Sequence, residues 1–465
     1  MIRYVFLIFA LGLTGFRAVA QEVLTYEAYL QWVFSNHPIA SIADITLEFG
    51  KQEMRIARGN FDPKLYADYD QKQFNSTNYY DKRKAGVSIP TWGGVEVRGL
   101  FEQNSGVYLN PERNVPQDGL LVAGVSVNLL QGLTMDPRRL AFRQAEVYME
   151  ATQAERRQIL NDLFLDATDA YWQWSAAYQN TAALLEGVRL AEVRFEGIKG
   201  SVIYGDLPAI DTVEAYTQVL SRMYQLRNVE IELFNARQEL SNFLWDNEQQ
   251  PMMLNDNSIP QEVMSLPDIE FDKAELRSLI ATHPELQLAD FDLATLELER
   301  RWKAEQLRPV LALHYNFLSE TISGFEDSPF LENNYRVGLT FRSPLFLRKE
   351  RGGLGLTKAK IDYKQNIRDM KSLRLRNKLE ADINSLELLE DQVELYSNNI
   401  SGLRRLLEGE LTRFEVGESS LFLINAREVQ LFDALLILNN LAAKRNIAYV
   451  KVLNTAGLGY QDIEE

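Results

Sequence analysis

Histidine and cysteine supply many of the nucleophiles, general bases and transition-metal ligands of proteins, and this chain has few of either. It contains three His (His37, His283 and His314) and no Cys among 465 residues. Without thiols there is no disulfide framework, cysteine nucleophile, iron–sulfur cluster or thiolate zinc site. Three widely spaced imidazoles argue against a transition-metal centre or a Ser-His-Asp triad. We therefore expect no enzymatic activity, no metal site and no cofactor.

The overall charge points away from nucleic acids. The chain carries 49 Lys+Arg against 65 Asp+Glu, which gives a formal net charge of −16. Proteins that bind DNA or RNA present basic surfaces to the phosphates, so we expect no nucleic-acid partner. The hydrophobic fraction of 46% is sufficient for a core, and the length allows one large domain or two to three ordinary ones.

The first 20 residues have the organisation of a secretory signal peptide. Arg3 makes the start basic, residues 4–16 are almost wholly apolar, and residues 18–20 (Ala-Val-Ala) form a small-x-small cleavage site. Cleavage before Gln21 is preferred over an uncleaved anchor, because the apolar run is short for a membrane span. Beyond Gln21 no stretch approaches about 18 consecutive apolar residues. Any insertion into a bilayer must therefore be as a β-barrel rather than as helices.

The mature sequence contains an internal repeat. Three pairs of short motifs recur at long spacings: His37-Pro38 with His283-Pro284 (283 − 37 = 246), Pro63 with Pro309 (309 − 63 = 246), and Gly205 with Gly417 (417 − 205 = 212). These spacings predict a first repeat at 21–250, a proline-containing linker at 251–267, a second repeat at 268–457 and a C-terminal tail at 458–465. Each repeat has the order helix, strands, very long helix, small loop, long helix.

Long amphipathic helices are the clearest signal in both repeats. Apolar residues alternate at steps of four and three along residues 159–202, and the pattern returns along residues 379–414. An average step of about 3.5 residues is the repeat of a coiled coil. A helix over residues 133–202 would be roughly 105 Å long at 1.5 Å per residue. By itself, this periodicity favours a soluble structural coiled coil.

The segments between the helices alternate apolar and polar residues. Strands predicted at 309–319 and 335–345, and others near 65–72 and 124–129, place alternate side chains on opposite faces. A transmembrane barrel requires this pattern, and a half-buried soluble sheet also gives it. A high density of aromatic residues near the strands favours the barrel. The polar side chains expected to line its lumen are Asp68, Asp70, His314, Arg336 and Arg342.

Basic residues gather where helices and strands meet, near residues 55–58, 138–139, 300–303 and 348–351. If these junctions meet the inner leaflet of a membrane, the cationic side chains face lipid head groups. Ordinary placement of charge at helix ends explains the same pattern. The sequence leaves both explanations open.

The first repeat has a surplus of 246 − 212 = 34 residues. Most of it lies among the strands, since Pro63 and Leu129 are 129 − 63 = 66 residues apart whereas Pro309 and Pro344 are 344 − 309 = 35 apart. Alternating segments near 83–105 flank the turn sequence Thr91-Trp92-Gly93-Gly94, which predicts an additional hairpin. Whether this hairpin enlarges a barrel or folds elsewhere stays open.

The signal peptide, tandem repeats, paired amphipathic strands and paired coiled coils together resemble the TolC family of outer-membrane channel proteins. The resemblance covers residues 24–457. Its most specific stretches are residues 24–28 (LTYEA) leading to residues 36–38 (NHP), residues 205–215 (GDLPAIDTVEA) and residues 413–426 (RFEVGESSLFLINA). None of these is a catalytic motif.

The resemblance implies a fold and a function. The fold is an α+β membrane protein in which long antiparallel coiled-coil helices form a periplasmic α-barrel joined to a transmembrane β-barrel. A homotrimer would share that barrel in the outer membrane of a Gram-negative bacterium, in contact with its lipid. The implied function is a passive exit duct for efflux or type I secretion, energised by an inner-membrane pump or ABC transporter through a periplasmic adaptor protein.

The resemblance also implies that the two glycine loops form the periplasmic entrance and dock the adaptor. The residues it assigns there are Gly205, Asp206, Asp211, Glu214, Gly417, Glu418 and Asn425. The carboxylates among them are candidates for a cation-attracting entrance, although helix-end acids are the simpler account of Asp206 and Glu418. The second loop departs from the family, because Leu423 and Asn425 stand where carboxylates would. Phe414 and Ser419 stand where related channels can have a Tyr and an Arg that latch neighbouring helices.

The alternative function is that of a secreted periplasmic coiled-coil adaptor or scaffold, which requires no lipid-facing strands. The exported cargo, the identity of the pump and adaptor, and the resting state of the entrance are not encoded in a recognisable motif.

Overall fold

The structure of the protein is a computed structural model, and it describes residues 23–255, 257–265, 271–320 and 333–460. The predicted signal peptide lies outside these residues, as do parts of the predicted linker and of the C-terminal tail.

The described residues form eight α-helices and eight β-strands. The helices are α1 (Tyr26–Asn36), α2 (Pro38–Gly59), α3 (Pro137–Tyr204), α4 (Ala209–Ser241), α5 (Lys273–Leu279), α6 (Pro284–Glu305), α7 (Arg348–Glu415) and α8 (Leu421–Ala456). The strands are β1 (Val23–Leu24), β2 (Lys64–Phe74), β3 (Thr77–Pro90), β4 (Val95–Ser105), β5 (Leu120–Asn128), β6 (Ile259–Pro260), β7 (Val310–Ser319) and β8 (Tyr335–Arg342). In its coarse form the predicted fold is confirmed, since very long helices accompany one substantial sheet.

None of the helices in the described ranges combines the length and the apolar character that crossing a membrane requires.

Two predicted boundaries were wrong by a few residues, in each case next to a proline. Helix α3 begins at Pro137 rather than near Leu133. Asp136 caps it, because its Oδ1 accepts hydrogen bonds from the backbone N–H groups of Arg138 (2.8 Å) and Arg139 (3.0 Å), and proline suits the first helical position. Strand β8 ends at Arg342 rather than at residue 345, two residues before Pro344, which has no N–H for a ladder.

The chain packs into two compact units, each of which takes segments from both halves of the sequence. Unit 1 comprises the described residues of Met1–Pro38, Phe164–Glu270 and Ile383–Lys451, and unit 2 those of Ile39–Leu163, Phe271–Asp382 and Val452–Glu465. The repeat boundaries inferred from the sequence stay a prediction.

Unit 1 has an aromatic core around helix α1. Tyr29, Tyr171 and Trp172 are each 0% exposed, and the Tyr26 ring lies 5.1 Å from that of Trp172. The Tyr171 hydroxyl donates to the carbonyl of Leu24 (2.6 Å) and accepts from the N–H of Gln261 (3.0 Å). It therefore ties the short parallel pair β1–β6 to helix α3.

Unit 2 contains an antiparallel sheet of six strands in the order β2-β3-β4-β5-β7-β8. Every neighbouring pair is antiparallel, and among the strands that the structure describes β2 and β8 are the edges, each with a partner on one side only. The predicted additional hairpin is the pair β3–β4, which lies inside this sheet between β2 and β5.

Two of the three histidines make equivalent hydrogen bonds at helix ends. In unit 1 the imidazole of His37 hydrogen-bonds the backbone of Asn242, and in unit 2 that of His283 hydrogen-bonds the backbone of Asn454. The two asparagines stand 454 − 242 = 212 residues apart, which is the spacing of the glycine loops. His283 Nδ1 also accepts from the N–H of Glu285 (3.1 Å) and so caps helix α6. Both histidines therefore have structural roles.

We expect these histidines to make the fold sensitive to acid. Burial lowers the pKa of both imidazoles, so below about pH 6.5 the unfolded chain binds protons that the folded chain does not bind. Stability from this source is present above that pH and is lost as the pH falls through it. The melting temperature of wild-type protein should fall more steeply between pH 7 and pH 5 than that of the His37→Gln/His283→Gln variant. Equal slopes of melting temperature against pH in the two proteins would contradict the prediction. Burial raises the pKa of Asp162, which acts on stability in the opposite direction, but both proteins contain Asp162 and its effect cancels in the comparison.

Candidate functional site

The strand register brings the five predicted lumen residues to one face of the sheet. Residues that pair across an antiparallel ladder point to the same side. One line of paired residues crosses all six strands, through Lys64, Ser88, Arg98, Gly124, Asn316 and Arg336. Side chains on one face of a strand recur at every second residue, so Asp68 and Asp70 lie on the same side of β2 as Lys64. By the same rule His314 lies on this side of β7, and Arg342 lies on this side of β8. We call this side the polar face.

The opposite side, the apolar face, consists mainly of aliphatic and aromatic residues. Its members include Leu65, Ala67, Ala85, Val87, Ile89, Val97, Phe101, Leu121, Ala123, Val125, Val127, Leu311, Leu313, Tyr315, Phe317, Val337, Leu339 and Phe341. A polar group interrupts it toward one end of β2 and β3, where the Tyr69 hydroxyl donates to Gln71 (3.0 Å) and Arg83 pairs with Asp81 (3.1 Å). A tyrosine at the border between apolar and charged residues is typical of a membrane interface.

The polar face is cationic, although the chain as a whole is acidic. Its seven basic residues are Lys64, Lys72, Lys82, Lys84, Arg98, Arg336 and Arg342, and its four acidic residues are Asp68, Asp70, Glu96 and Glu102. The formal balance is 7 − 4 = +3 per chain, with His314 counted as neutral. This surface therefore attracts anions, whereas the total charge of −16 would suggest the reverse.

Side-chain contacts organise the polar face. Lys82 Nζ lies 3.1 Å from Asp70 Oδ2, and the Ser88 hydroxyl donates to Glu96 Oε1 (2.9 Å). Arg98 on β4 reaches across β5 and donates to Asn316 Oδ1 on β7 from Nε (3.0 Å) and Nη2 (2.8 Å). Gly124 makes this reach available, because a Cβ there would stand 2.2 Å from Asn316 Oδ1. Three strands are thus linked by one arginine.

The basic residues in the first turn of helix α3 make contacts within the chain. Arg138 Nη2 lies 3.2 Å from Glu96 Oε2, and Arg139 Nε lies 2.8 Å from Asp136 Oδ2. Arg139 also donates to the carbonyls of Gly132 and Leu133. Of the two explanations of these cations, these contacts favour a role at the helix end for Arg139.

Both glycine loops, which lie in unit 1, use the same backbone geometry. Gly205 has φ +85° and Gly417 has φ +77°, conformations that favour glycine. After α3 the N–H of Asp206 bonds the carbonyl of Ser201 (2.9 Å), and after α7 the N–H of Glu418 bonds that of Arg413 (2.9 Å). With the bonds from Gly205 and Gly417 to the third residue before each, these are Schellman caps. We call the two loops the tip loops.

The structure brings together some of the residues predicted at the entrance. Asn425 is buried, and its Nδ2 donates to Glu214 Oε1 (3.1 Å), which joins α8 to α4. Asp211 lies in the first turn of α4. Within the described part of the chain, the side chains of Asp206, Asp211 and Glu418 have no hydrogen-bond or ion-pair partner. Phe414 packs into an apolar cluster below the tip loops that contains Ile198, Ala215 and Leu421. Ser419 donates to Glu410.

A buried ion pair in unit 1 was missed by the sequence reasoning. Glu428 on α8 is 2% exposed and binds the guanidinium of Arg194 on α3 through both carboxylate oxygens, one contact being 2.6 Å. Arg222 on α4 is 1% exposed, lies 4.7 Å over the Phe432 ring and donates to Gln225 (2.9 Å). Burial lowers the pKa of Arg222, and the charge of Glu428 opposes this shift. Glu428 therefore stabilises two cations, the half-buried Arg194 and the fully buried Arg222.

A sequence signal for these residues exists. Glu428 stands in an apolar series with steps of three and four, which runs through Leu421, Ile424, Leu431, Leu435 and Leu438. Arg222 stands in the corresponding series of Ala215, Val219, Leu226 and Val229. A charged residue at a seam position is buried by its neighbours and requires a partner.

Across the ranges that the structure describes, no group of three or more His, Asp or Glu residues is arranged to hold a metal ion.

The fold is that of outer-membrane channel proteins, and the predicted resemblance in fold is confirmed. The CmeC outer membrane channel of Campylobacter jejuni has 14% sequence identity and a TM-score of 0.66, with 94% of this chain and 87% of that chain covered. The open state of the Neisseria gonorrhoeae MtrE outer membrane channel has 13% identity and a TM-score of 0.70, with 93% and 89% covered. VceC from Vibrio cholerae has 13% identity and a TM-score of 0.65, with 93% and 96% covered. No protein-family model and no curated protein sequence matches the chain.

Proposed function

We propose that the protein is an outer-membrane export channel of the TolC type. Three copies share one β-barrel in the outer membrane of a Gram-negative bacterium, and their long helices form a periplasmic tunnel. The channel is a passive duct, and an inner-membrane transporter supplies the energy through a periplasmic adaptor protein. No bond is made or broken in the channel itself.

The observation that carries the proposal is the two-faced sheet. Across the six strands, alternate residues form a face with polar and charged side chains and a face rich in aliphatic and aromatic side chains. The charges of the polar face lie on β2, β3, β4 and β8. In a closed barrel the apolar face contacts lipid and the polar face contacts water. A soluble scaffold would have to cover the apolar face with other elements. In the described chain, however, Leu65, Leu339 and Phe341 on that face are 88%, 65% and 67% exposed.

Fractionation tests the proposal against the periplasmic scaffold. The full chain is produced in a Gram-negative host, and the outer membrane is separated from the periplasm. A channel is recovered only with detergent from the outer-membrane fraction and migrates as a heat-modifiable band on denaturing gels. Recovery of soluble protein from the periplasm without detergent would refute the channel and leave the scaffold.

The acidic residues after the first tip loop predict cation binding at the entrance. We expect Asp211→Ala to weaken block by multivalent cations and to reduce cation preference in planar-bilayer recordings, because the side chain lies in the first turn of α4 without a partner of its own. Glu48→Ala on α2, which belongs to unit 2 and not to the tip loops, makes the same change of charge and should leave block unchanged. Identical block in wild type and Asp211→Ala would remove this role.

A further inference from the structure

The hairpin β3–β4 is an integral part of the sheet at both of its borders. Strand β3 pairs with β2 over its length, and β4 pairs with β5 over eight residues. The turn at residues 91–94 packs onto the helices, since the Trp92 ring lies 5.3 Å from Phe61 and 4.7 Å from Phe142. The alternation of the hairpin is also in phase with its neighbours, so its lysines join the polar face. The hairpin therefore has the position and pattern of a piece of barrel wall.

The stagger of the strands matches that of a barrel. Strands β2 and β7 begin in equivalent places, each one residue after Pro63 or Pro309 and five residues after the end of a helix. The line of pairs from Lys64 reaches Asn316, which is 316 − 310 = 6 residues beyond the start of β7. Four pairings thus produce a stagger of about 1.5 residues per strand, which corresponds to a tilt of about 45° and falls in the range of closed barrels.

The two edges of the sheet fit one another. Six strands that alternate in direction leave β2 and β8 antiparallel, so β8 of one copy meets β2 of the next in an ordinary antiparallel ladder. Each face stays continuous from one copy to the next only if the register shift that accumulates over the six strands of a chain is an even number of residues. A tilt of about 35–45° then corresponds to about six or eight residues, which places Gly338 opposite Asp68 or Asp70. In both registers Arg336, which has no ion-pair partner within the described residues, comes within reach of Asp70 of the next copy.

We propose that β8 of each chain pairs with β2 of the next, so that the channel closes as an 18-stranded barrel with the hairpin β3–β4 in its wall. The count is six strands from each of three copies, and it rests on the trimeric channel proposed above. At a strand spacing of about 4.8 Å and a tilt of about 40°, 18 strands give a backbone diameter of about 36 Å, against about 24 Å for 12 strands. The hairpin widens the exit of the duct about 1.5-fold relative to a barrel without it, and adds Lys82, Lys84 and Arg98 to its lining.

Cysteine cross-linking in isolated outer membranes tests the seam, because the chain has no Cys of its own. The two seam variants are Asp68→Cys/Gly338→Cys and Asp70→Cys/Gly338→Cys. On oxidation, one of them should form disulfide-linked dimers and trimers on denaturing gels. The control Tyr66→Cys/Ser126→Cys joins β2 to β5, which the hairpin separates, and should form no disulfide. A disulfide in the control together with none at the seam would overturn the proposal.

A strand count settles the same question independently. Electron cryo-microscopy of the detergent-solubilised full-length protein should show 18 strands in a three-fold barrel. A three-fold barrel of 12 strands, or a two-copy barrel of 12 strands, would overturn the inference. A three-fold barrel of 12 strands would overturn the inference but would remain consistent with the proposed membrane channel. Protein found outside the membrane would refute the proposed function itself.

Discussion

Val125→Lys is expected to abolish most of the folded channel in the outer membrane, while Ser126→Lys leaves its amount close to wild type. The two residues are neighbours in the middle of β5 but belong to opposite faces. Val125 lies between Val97 and Tyr315 on the apolar face, and Ser126 lies between Glu96 and His314 on the polar face. A lysine that faces lipid near the bilayer midplane costs about 2–4 kcal/mol per chain. In the proposed trimeric barrel, three chains incur that cost.

The measurement is the amount of heat-modifiable protein in outer-membrane fractions at matched expression. Val125→Leu serves as the control for a change of size without a change of polarity, and we expect it to assemble normally. Lysine introduced at Ser126 lies beside Glu96 on the polar face, which in the proposed barrel lines the water-filled lumen. Equal yields of the two lysine variants would show that the apolar face does not contact lipid.

Glu428→Gln is expected to destabilise the helices of unit 1 by about 3–5 kcal/mol, the range for breaking a buried ion pair. The substitution keeps the size of the side chain and removes its charge, which leaves the half-buried Arg194 without its counter-charge and deprives the buried Arg222 of a nearby anion. The loss should appear as a lower melting temperature and as faster proteolysis within α3, α4 and α8. An unchanged melting temperature together with unchanged proteolysis would contradict the assignment.

An exposed ion pair on α3, the helix that carries Arg194, provides the matched control. Arg189 pairs with Glu186 at 2.7 Å, and both side chains are at least half exposed. Glu186→Gln removes one carboxylate from α3 just as Glu428→Gln removes one from α8, but it should leave the melting temperature close to that of wild type, because water screens an exposed ion pair. The exchange Arg194→Glu/Glu428→Arg restores opposite charges in the same place and should recover part of the lost stability.

Features that depend on local periodicity were predictable from the sequence. The alternation at 309–319 assigned His314 to the polar face, and the register places it on the same side of the sheet as Arg336 and Arg342. That this side lines a lumen stays a prediction. The glycines at 205 and 417 marked the two loops that both prove to be Schellman caps. Boundaries were less accurate where proline and a cap decide them, as at Asp136 and Pro137, because a single side chain there outweighs the periodic signal.

The buried charges illustrate a different limit. The heptad series shows that Glu428 and Arg222 occupy seam positions, but it does not show which distant residue lies opposite them. Arg194 is 234 residues from Glu428, and only the packing of α3 against α8 in unit 1 brings them together. Long-range partners depend on tertiary packing, which periodicity within one helix does not encode.

The sequence by itself determined that this protein has no Cys and only three His, alternates long coiled coils with two-faced strands, and repeats its motifs. These properties follow from composition and from spacings within single elements. Only the tertiary structure decided that the hairpin β3–β4 stands between β2 and β5, and that charges from four of the six strands form one cationic face. The physical reason is that pairing joins backbone groups far apart in the chain, such as those of β5 and β7, and a one-residue change of register would exchange the two faces without altering any local pattern.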